Sequence, residues 1–396
     1  MLADAWHPKI GTAPAGRSAL ERPQADSYDV TLTAPASLTV ASSGEWIEKP
    51  AATGGQRKFH WRLAEATSFG LAASSSFVET LRDSEGVDIR LYQLRGDSRF
   101  DAKMADYAVD VVRFYKRLFG FYPHPAVVTL PGSYRSGGGY SPASGFVVFH
   151  KISGDYYERG YAAHEIGHQY WGFDTVLDDA EPCHWLGLGL GIYSDNLYMS
   201  AHGLRSVVGV GDYLDAAAKG FDTTLRQPPE KMRSLQFNWN GAICHAKSYA
   251  VMRMLADLMG PERFLRFLQT LLGRYRGRYL SADDFQNAAQ AAADQDLGWF
   301  FHDWVDTNRT ASYAIETVRS VGDSVEVYIR RTGTARFPVS VGLTMADGGH
   351  QVERIDPVPE VQTLKFAAAH DPIRVQIDPN GICPLMTQGK EVWERK

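Results

Sequence analysis

The segment Ala163-His164-Glu165-Ile166-Gly167-His168 holds the residues best suited to chemistry. Side chains four apart lie on one face of an α-helix, so a helix here presents the imidazoles of His164 and His168 to a single metal ion. Glu165 is turned by about 100° from His164. Its carboxylate can therefore reach a water on that metal without displacing a ligand. Zinc moves the pKa of such a water towards ~7, and Glu165 can act as general base while the water attacks a carbonyl. The neighbours Tyr161, Ala162, Ile166, Tyr170 and Trp171 are apolar and predict a buried helix. A carboxylate buried between two imidazoles is costly without a partner, which favours a bound cation over a chance match on a surface helix.

The elements that must position this segment follow from periodicity. From about Tyr28 to Leu91 the pattern has period two: Tyr28, Val30, Leu32; Phe59, Trp61, Leu63; Val87, Ile89, Leu91. Turn clusters separate these runs, as in an antiparallel β domain. Near Ser98 the period becomes helical. Ser98 with Asp101 resembles a capping box, Met104, Val111, Val112, Tyr115 and Leu118 form one face, and Gly120 caps the end. Two strands, Ala126–Leu130 and Gly145–His150, flank a glycine-rich loop at Ser136–Gly139. Helices dominate from Tyr161 to about Asp306, with Gly260-Pro261 dividing two of them and Ser281 with Asp284 opening another. After Arg309 the alternation returns (Val325, Val327, Ile329; Val339, Val341, Leu343, Met345; Ile373, Val375, Ile377), which predicts a closing β-sandwich. No internal repeat interrupts this order.

Composition narrows the function. The 396 residues suffice for several domains, and 44% hydrophobic with 22% charged residues is globular. A net charge of −5 lacks the basic excess of a nucleic-acid binder, and the basic-aromatic run Arg274–Arg278 reads as a solvated turn. No apolar run reaches the ~18–20 residues of a membrane span. Three cysteines make no disulfide framework, and the N-terminus shows no secretory signal, so the expected location is the cytoplasm unless a leader has been trimmed. Ser136–Gly139 lacks the Gly-Lys-Ser/Thr of a phosphate loop, and no G-x-S-x-G elbow occurs.

HEIGHQYWG, Trp185-Leu186 with Tyr193, LFGFYPHP at Leu118–Pro125, Lys247 with Met254-Leu255, and Trp299–Val305 together resemble the aminopeptidase N and leukotriene hydrolase family, the gluzincin zinc peptidases. The resemblance runs from about Ser27 to Pro379. It implies an α+β multidomain fold: a shortened N-terminal antiparallel β domain (1–97), a thermolysin-like mixed α/β catalytic domain (98–310) and a C-terminal β-sandwich (311–396). It also implies zinc on His164 and His168, Glu165 as general base, and Asp195 orienting a zinc histidine from behind.

Three positions depart from the family. Its third zinc ligand, a Glu in W-L-N-E-G-F-A-x-Y, falls on Gly187 by counting or on Leu188 by anchoring on Trp185 and Tyr193, and neither is a carboxylate. The strand G-A-M-E-N, whose Glu holds a substrate's free amine, matches Gly139-Tyr140-Ser141-Pro142-Ala143, with Pro142 in the Glu position. Gly139, Tyr140, Ser141, Pro142 and Gly145 are the expected substrate contacts, and the strand after Gly145 can pair with an extended peptide. The oxyanion-stabilising tyrosine is replaced by His245, which can donate to the oxyanion or complete the metal shell. Other candidates for that third ligand are Glu181, Cys183, His184 and Cys244. Glycines at 187, 189 and 191 imply either close backbone packing or a loose helix start.

The expected protein is a zinc-dependent hydrolase of a peptide or related amide or ester. A non-catalytic scaffold, or a pocket repurposed for non-peptide chemistry, is the alternative. A peptide or small molecule is the expected partner, with neither nucleic acid nor membrane.

Overall fold

Alternating apolar residues become strands wherever one face can be buried. The structure, a computed structural model, describes residues 26–97, 102–132, 138–150, 154–177, 184–205, 207–226, 239–367, 370–387 and 389–395. Strands β1 (Asp26–Pro35), β2 (Thr39–Ser42), β3 (Glu45–Thr53), β4 (Gln56–Ala66), β5 (Leu71–Ser74), β6 (Phe77–Ser84) and β7 (Val87–Leu94) come first. β4 lies between β1 and β3, antiparallel to both, and β2 pairs with β5. Phe59, Trp61 and Leu63 point inward and join Ala34, Val40, Ala66 and Phe69 in one core. On the other face of β4, His60 and Arg62 meet Asp29.

β7 continues through α1 (Ala102–Phe119) into β8 (Ala126–Pro131), which pairs parallel to it. The apolar stripe of α1, Met104, Val111, Val112 and Tyr115 among it, is buried, and Gly120 ends the helix at φ 89°. β9 (Gly139–Ala143) and β10 (Phe146–Phe149) complete a five-stranded sheet of order β6-β7-β8-β10-β9. This sheet crosses residue 97. β9 is an edge strand.

The helical part comprises α2 (Asp155–Gly167), the short β11 (Val176–Leu177), α3 (Trp185–Ala201), α4 (Gly211–Ala218), a π-helix (Asn240–Lys247), α5 (Ser248–Met259), α6 (Pro261–Tyr275), β12 (Tyr279–Leu280), α7 (Ala282–Ala293) and α8 (Gly298–Trp304). Gly260 takes φ 83° between α5 and α6. Ser281 and Asp284 form a reciprocal cap at α7: the Ser281 hydroxyl accepts from the Asp284 backbone N–H at 3.0 Å and donates to its carboxylate at 2.8 Å. Phe300, Phe301 and Trp304 are core residues.

The chain closes with β13 (Tyr313–Val321), β14 (Ser324–Arg331), β15 (Ser340–Met345), β16 (His350–Arg354), β17 (Val361–Ala367), β18 (Pro372–Ile377) and β19 (Val392–Glu394), in antiparallel sheets of order β13-β14-β17 and β16-β15-β18-β19. Val325, Val327, Ile329, Val341, Leu343, Val375 and Ile377 are buried. Ile373 breaks the expected alternation and is 41% exposed. A register shift causes this: Thr344 pairs with Arg374 but Met345 pairs with Pro372, so Ile373 is left over and turned outward.

The architecture is α+β, with antiparallel sheets at both ends of the chain. Two compact units form, one from the described parts of Met1–Ala180, Leu186–Val208 and Leu265–Phe285, the other from those of Glu181–Trp185, Gly209–Phe264 and Gln286–Lys396. In the second unit Lys247 is fully buried, its ammonium donating to the carbonyls of Thr223 (2.8 Å) and Thr307 (3.0 Å). No helix among the described residues is long and apolar enough to cross a membrane. Ser98 and Asp101 lie outside the described residues, as do Ser136 and Gly137 of the glycine-rich loop.

His124, between Pro123 and Pro125 ahead of β8, is 3% exposed, and neither ring nitrogen has a hydrogen-bond partner among the described residues. Burial, with the Arg276 charge adding to it, pushes its pKa down to about 3. The folded protein therefore holds this ring neutral while the unfolded chain protonates near pH 6.5. Stability should fall by about 1.4 kcal/mol per pH unit from that point down to about pH 3. Urea unfolding of the parent and of His124→Phe between pH 7 and 4 checks this. The variant is expected to lose less stability on acidification, and parallel pH curves would count against it.

Candidate active site

The motif helix ends on its own functional residues. α2 runs to Gly167, and His168, still in helical conformation, caps it with its N–H bonded to the His164 carbonyl at 3.1 Å. His164, Glu165 and His168 thus occupy the C-terminal turn, where the helix dipole favours a cation. Ala162, Ile166, Tyr170 and Trp171 are at most 1% exposed, which anchors this turn in the core of the first unit.

The two imidazoles face each other, with Nε2 atoms 3.1 Å apart. His164 Nδ1 lies 2.9 Å from Asp195 Oδ2, and His168 Nδ1 lies 3.4 Å from the Trp171 carbonyl oxygen. In the tautomer that carries its proton on Nδ1, facing these oxygens, each ring turns its Nε2 lone pair toward the other. Two lone pairs at that distance repel unless a cation or a proton lies between them. Zn–N bonds of about 2.0–2.1 Å at a tetrahedral angle would set the two nitrogens about 3.3–3.4 Å apart. The pair therefore fits a divalent cation as two of its ligands.

α3 sets the other wall. Asp195 is 5% exposed and also accepts from the Asn196 amide at 3.2 Å. One turn earlier stands Gly191, where an added Cβ would come within 2.9 Å of His168 Cε1. The helix is regular from Trp185 onward, and at position 191 glycine permits the close approach of the imidazole. Leu188 is three residues before Gly191 and seven before Asp195, on the same helical face. No carboxylate stands there or at Gly187. Among the described residues no cluster of three His, Cys, Asp or Glu side chains surrounds one point.

Glu165 is 3% exposed, and its carboxyl is pushed up to about 8, chiefly by burial and further by Asp195, against a lowering hydrogen bond from Ser141. Burial likewise pushes Asp195 well up, against the Asn196 hydrogen bond. Two buried acids held toward neutrality beside two imidazoles form a site whose electrostatics a cation would invert.

Edge strand β9 passes directly over Glu165. The Ser141 hydroxyl lies 2.9 Å from the Glu165 carbonyl oxygen and 3.3 Å from Oε2. An added Cβ on Gly139 would stand 2.9 Å from Glu165 Cγ. Tyr140 is 38% exposed, its ring 5.4 Å from that of His150. Pro142 is half-buried and brings no charge to the position of the family's amine-binding Glu. Gly145, at φ 72°, ends the turn into β10. The expected residues His164, Glu165, His168, Asp195, Gly139 and Ser141 thus come together in the first unit. His245 lies half-buried on the π-helix of the second unit beside the buried Cys244, and its role remains the one implied by sequence. His184 is exposed at φ 46° just before α3. Glu181 and Cys183 lie outside the described residues.

Two contacts were not foreseen from the sequence. The Trp171 carbonyl behind His168 is a backbone group, and no side-chain pattern announces it. Gln169, beside the motif, is fully buried and bonded to the β9–β10 turn; a polar residue in an apolar run was its only signal.

Residues 159–304 match the family model of the peptidase family M1 domain. Among solved structures, the crystal structure of Legionella pneumophila aminopeptidase A in complex with aspartic acid is similar, with a TM-score of 0.71 and 16% sequence identity over 93% of this chain and 45% of that one. This chain thus spans less than half the length of that protein, and at such identity the likeness speaks for the fold. No curated protein matches the sequence. The match to the M1 peptidase domain thus covers the segment that holds the His164–His168 motif, and the fold is similar to that of an aminopeptidase.

Proposed function

We propose that this chain is a zinc-dependent hydrolase in which Glu165 is the general base for attack of water on a peptide, or a related amide or ester, carbonyl. The observation that carries the reading is the pair of Nε2 atoms 3.1 Å apart, each ring tied through its Nδ1. His164 and His168 would hold the ion, with Asp195 fixing the His164 ring. Bound zinc supplies a Lewis acid that polarises the carbonyl and acidifies water. Glu165 takes the proton on its carboxylate and returns it to the leaving group, while Ser141 orients that carboxylate. The free edge of β9 receives an extended substrate through backbone hydrogen bonds. Gly139, Tyr140, Pro142 and Gly145 line that approach, and the sequence-based proposal for His245 is that it donates to the oxyanion or completes the metal shell.

Pro142 gives a substrate's ammonium group no charge partner, so a free N-terminus is not required. With zinc present, matched peptides bearing free and acetylated N-termini should be cleaved with kcat/KM values within about tenfold of each other. A preference for the free amine beyond about a hundredfold would contradict this part of the reading. The lack of a carboxylate at Gly187 and Leu188 favours a second reading, a binding module that keeps the fold without turnover. Failure of the zinc-loaded chain to cleave amides or esters would support it.

A further inference from the structure

We infer that Gln169, the residue after the motif, is a positioning residue that fixes the β9–β10 turn, and with it the substrate-receiving strand, against Glu165. The inference rests on the proposed reading in that β9 is taken as the strand that receives substrate. Gln169 is fully buried. Its Oε1 accepts from the Gly145 N–H at 2.7 Å, and its Nε2 reaches the Phe146 carbonyl at 3.5 Å. These are main-chain groups of the turn, where the β9–β10 ladder is irregular: Phe146 pairs with Ala143 and Val148 with Tyr140, so the register shifts in between. A side-chain amide there replaces the backbone partner that a regular hairpin would supply.

The preceding residue is held in the same manner from the opposite side. The Ser144 carbonyl accepts from the Ser43 hydroxyl at 2.7 Å, and its N–H donates to Ser68 Oγ at 3.1 Å. Ser43, Ser68 and Ser144 are at most 3% exposed. The turn is thus clamped between serines of the β2–β3 and β4–β5 connections and a glutamine adjoining His168. Three residues before Ser144, Ser141 reaches Glu165 by 2.9 and 3.3 Å contacts. Without the Gln169 amide the Gly145 N–H would be buried and unsatisfied, so the turn would open to reach water.

The test compares the full chain with Gln169→Met, which keeps length and removes both polar atoms, and with Gln169→Glu, which keeps the acceptor for Gly145. Hydrogen exchange of the Gly145 amide should quicken at least about tenfold in Gln169→Met and stay near the parent rate in Gln169→Glu. Zinc content should be unchanged in both. With a peptide substrate, KM should rise about tenfold in Gln169→Met while kcat stays within about threefold, because strand alignment rather than proton transfer is lost. Unchanged Gly145 exchange in Gln169→Met, or loss of zinc from it, overturns the inference. If Gln169→Met does not fold, rapid Gly145 exchange in Gln169→Glu overturns it instead. A parent that cleaves nothing while the exchange pattern holds defeats the hydrolase reading and leaves the clamp standing.

Discussion

His168→Ala is expected to abolish zinc binding, lowering metal content from about one ion per chain to a trace and weakening affinity by at least about a hundredfold. The size of the effect follows from the count of donors. Two imidazoles converge at 3.1 Å, and each supplies one of the two donors proposed for the ion, so removing one takes away half of that pair. Folding should survive. His168 caps the last turn of α2, where alanine satisfies the same backbone bonds, while the apolar anchors Ile166, Tyr170 and Trp171 are untouched. Metal analysis after dialysis, with circular dichroism as the check on folding, reads the result. A His168→Ala protein that retains stoichiometric zinc would remove the pair from the site.

Glu165→Gln is expected to separate the metal from the chemistry. Zinc should remain, since neither imidazole is altered, while hydrolysis should fall by about a thousandfold or more through loss of the base. Glutamine matches the shape of the buried acid and keeps an acceptor for Ser141, 3.3 Å from Oε2. Burial holds the parent carboxyl up at about 8 when no cation is near, so a neutral amide in its place should not destabilise the fold. Assays at matched zinc occupancy check this. Activity within tenfold of the parent would mean that another group moves the proton.

Much of this was legible in the sequence because periodicity and spacing encode which face of an element is buried. The alternation at Phe59, Trp61 and Leu63 gave β4 its inward face, and the four-residue spacing of His164 and His168 brought their rings together. The placement of Asp195, two turns beyond Leu188 on a second helix, also translated into contact with His164. What escaped depends on tertiary pairing. Ile373 continued a plausible alternation, but a shift between β15 and β18 turned it outward. Strands β6 and β7, which read as part of an N-terminal β domain, hydrogen-bond into the same sheet as β8, β9 and β10, because parallel pairing of β7 with β8 leaves no local trace. The glycines near Trp185 left open whether α3 is loose or closely packed; at Gly191 the approach of the His168 ring decides for close packing.

The claim beneath all of this is that a divalent cation joins His164 and His168. X-ray data collected on either side of the zinc absorption edge, from crystals of the full chain grown with zinc, test it most directly. The account predicts one anomalous peak about 2.0–2.1 Å from both Nε2 atoms, on the side facing Glu165. A map with no peak there, and with the imidazoles bonded only to protein groups, would contradict it.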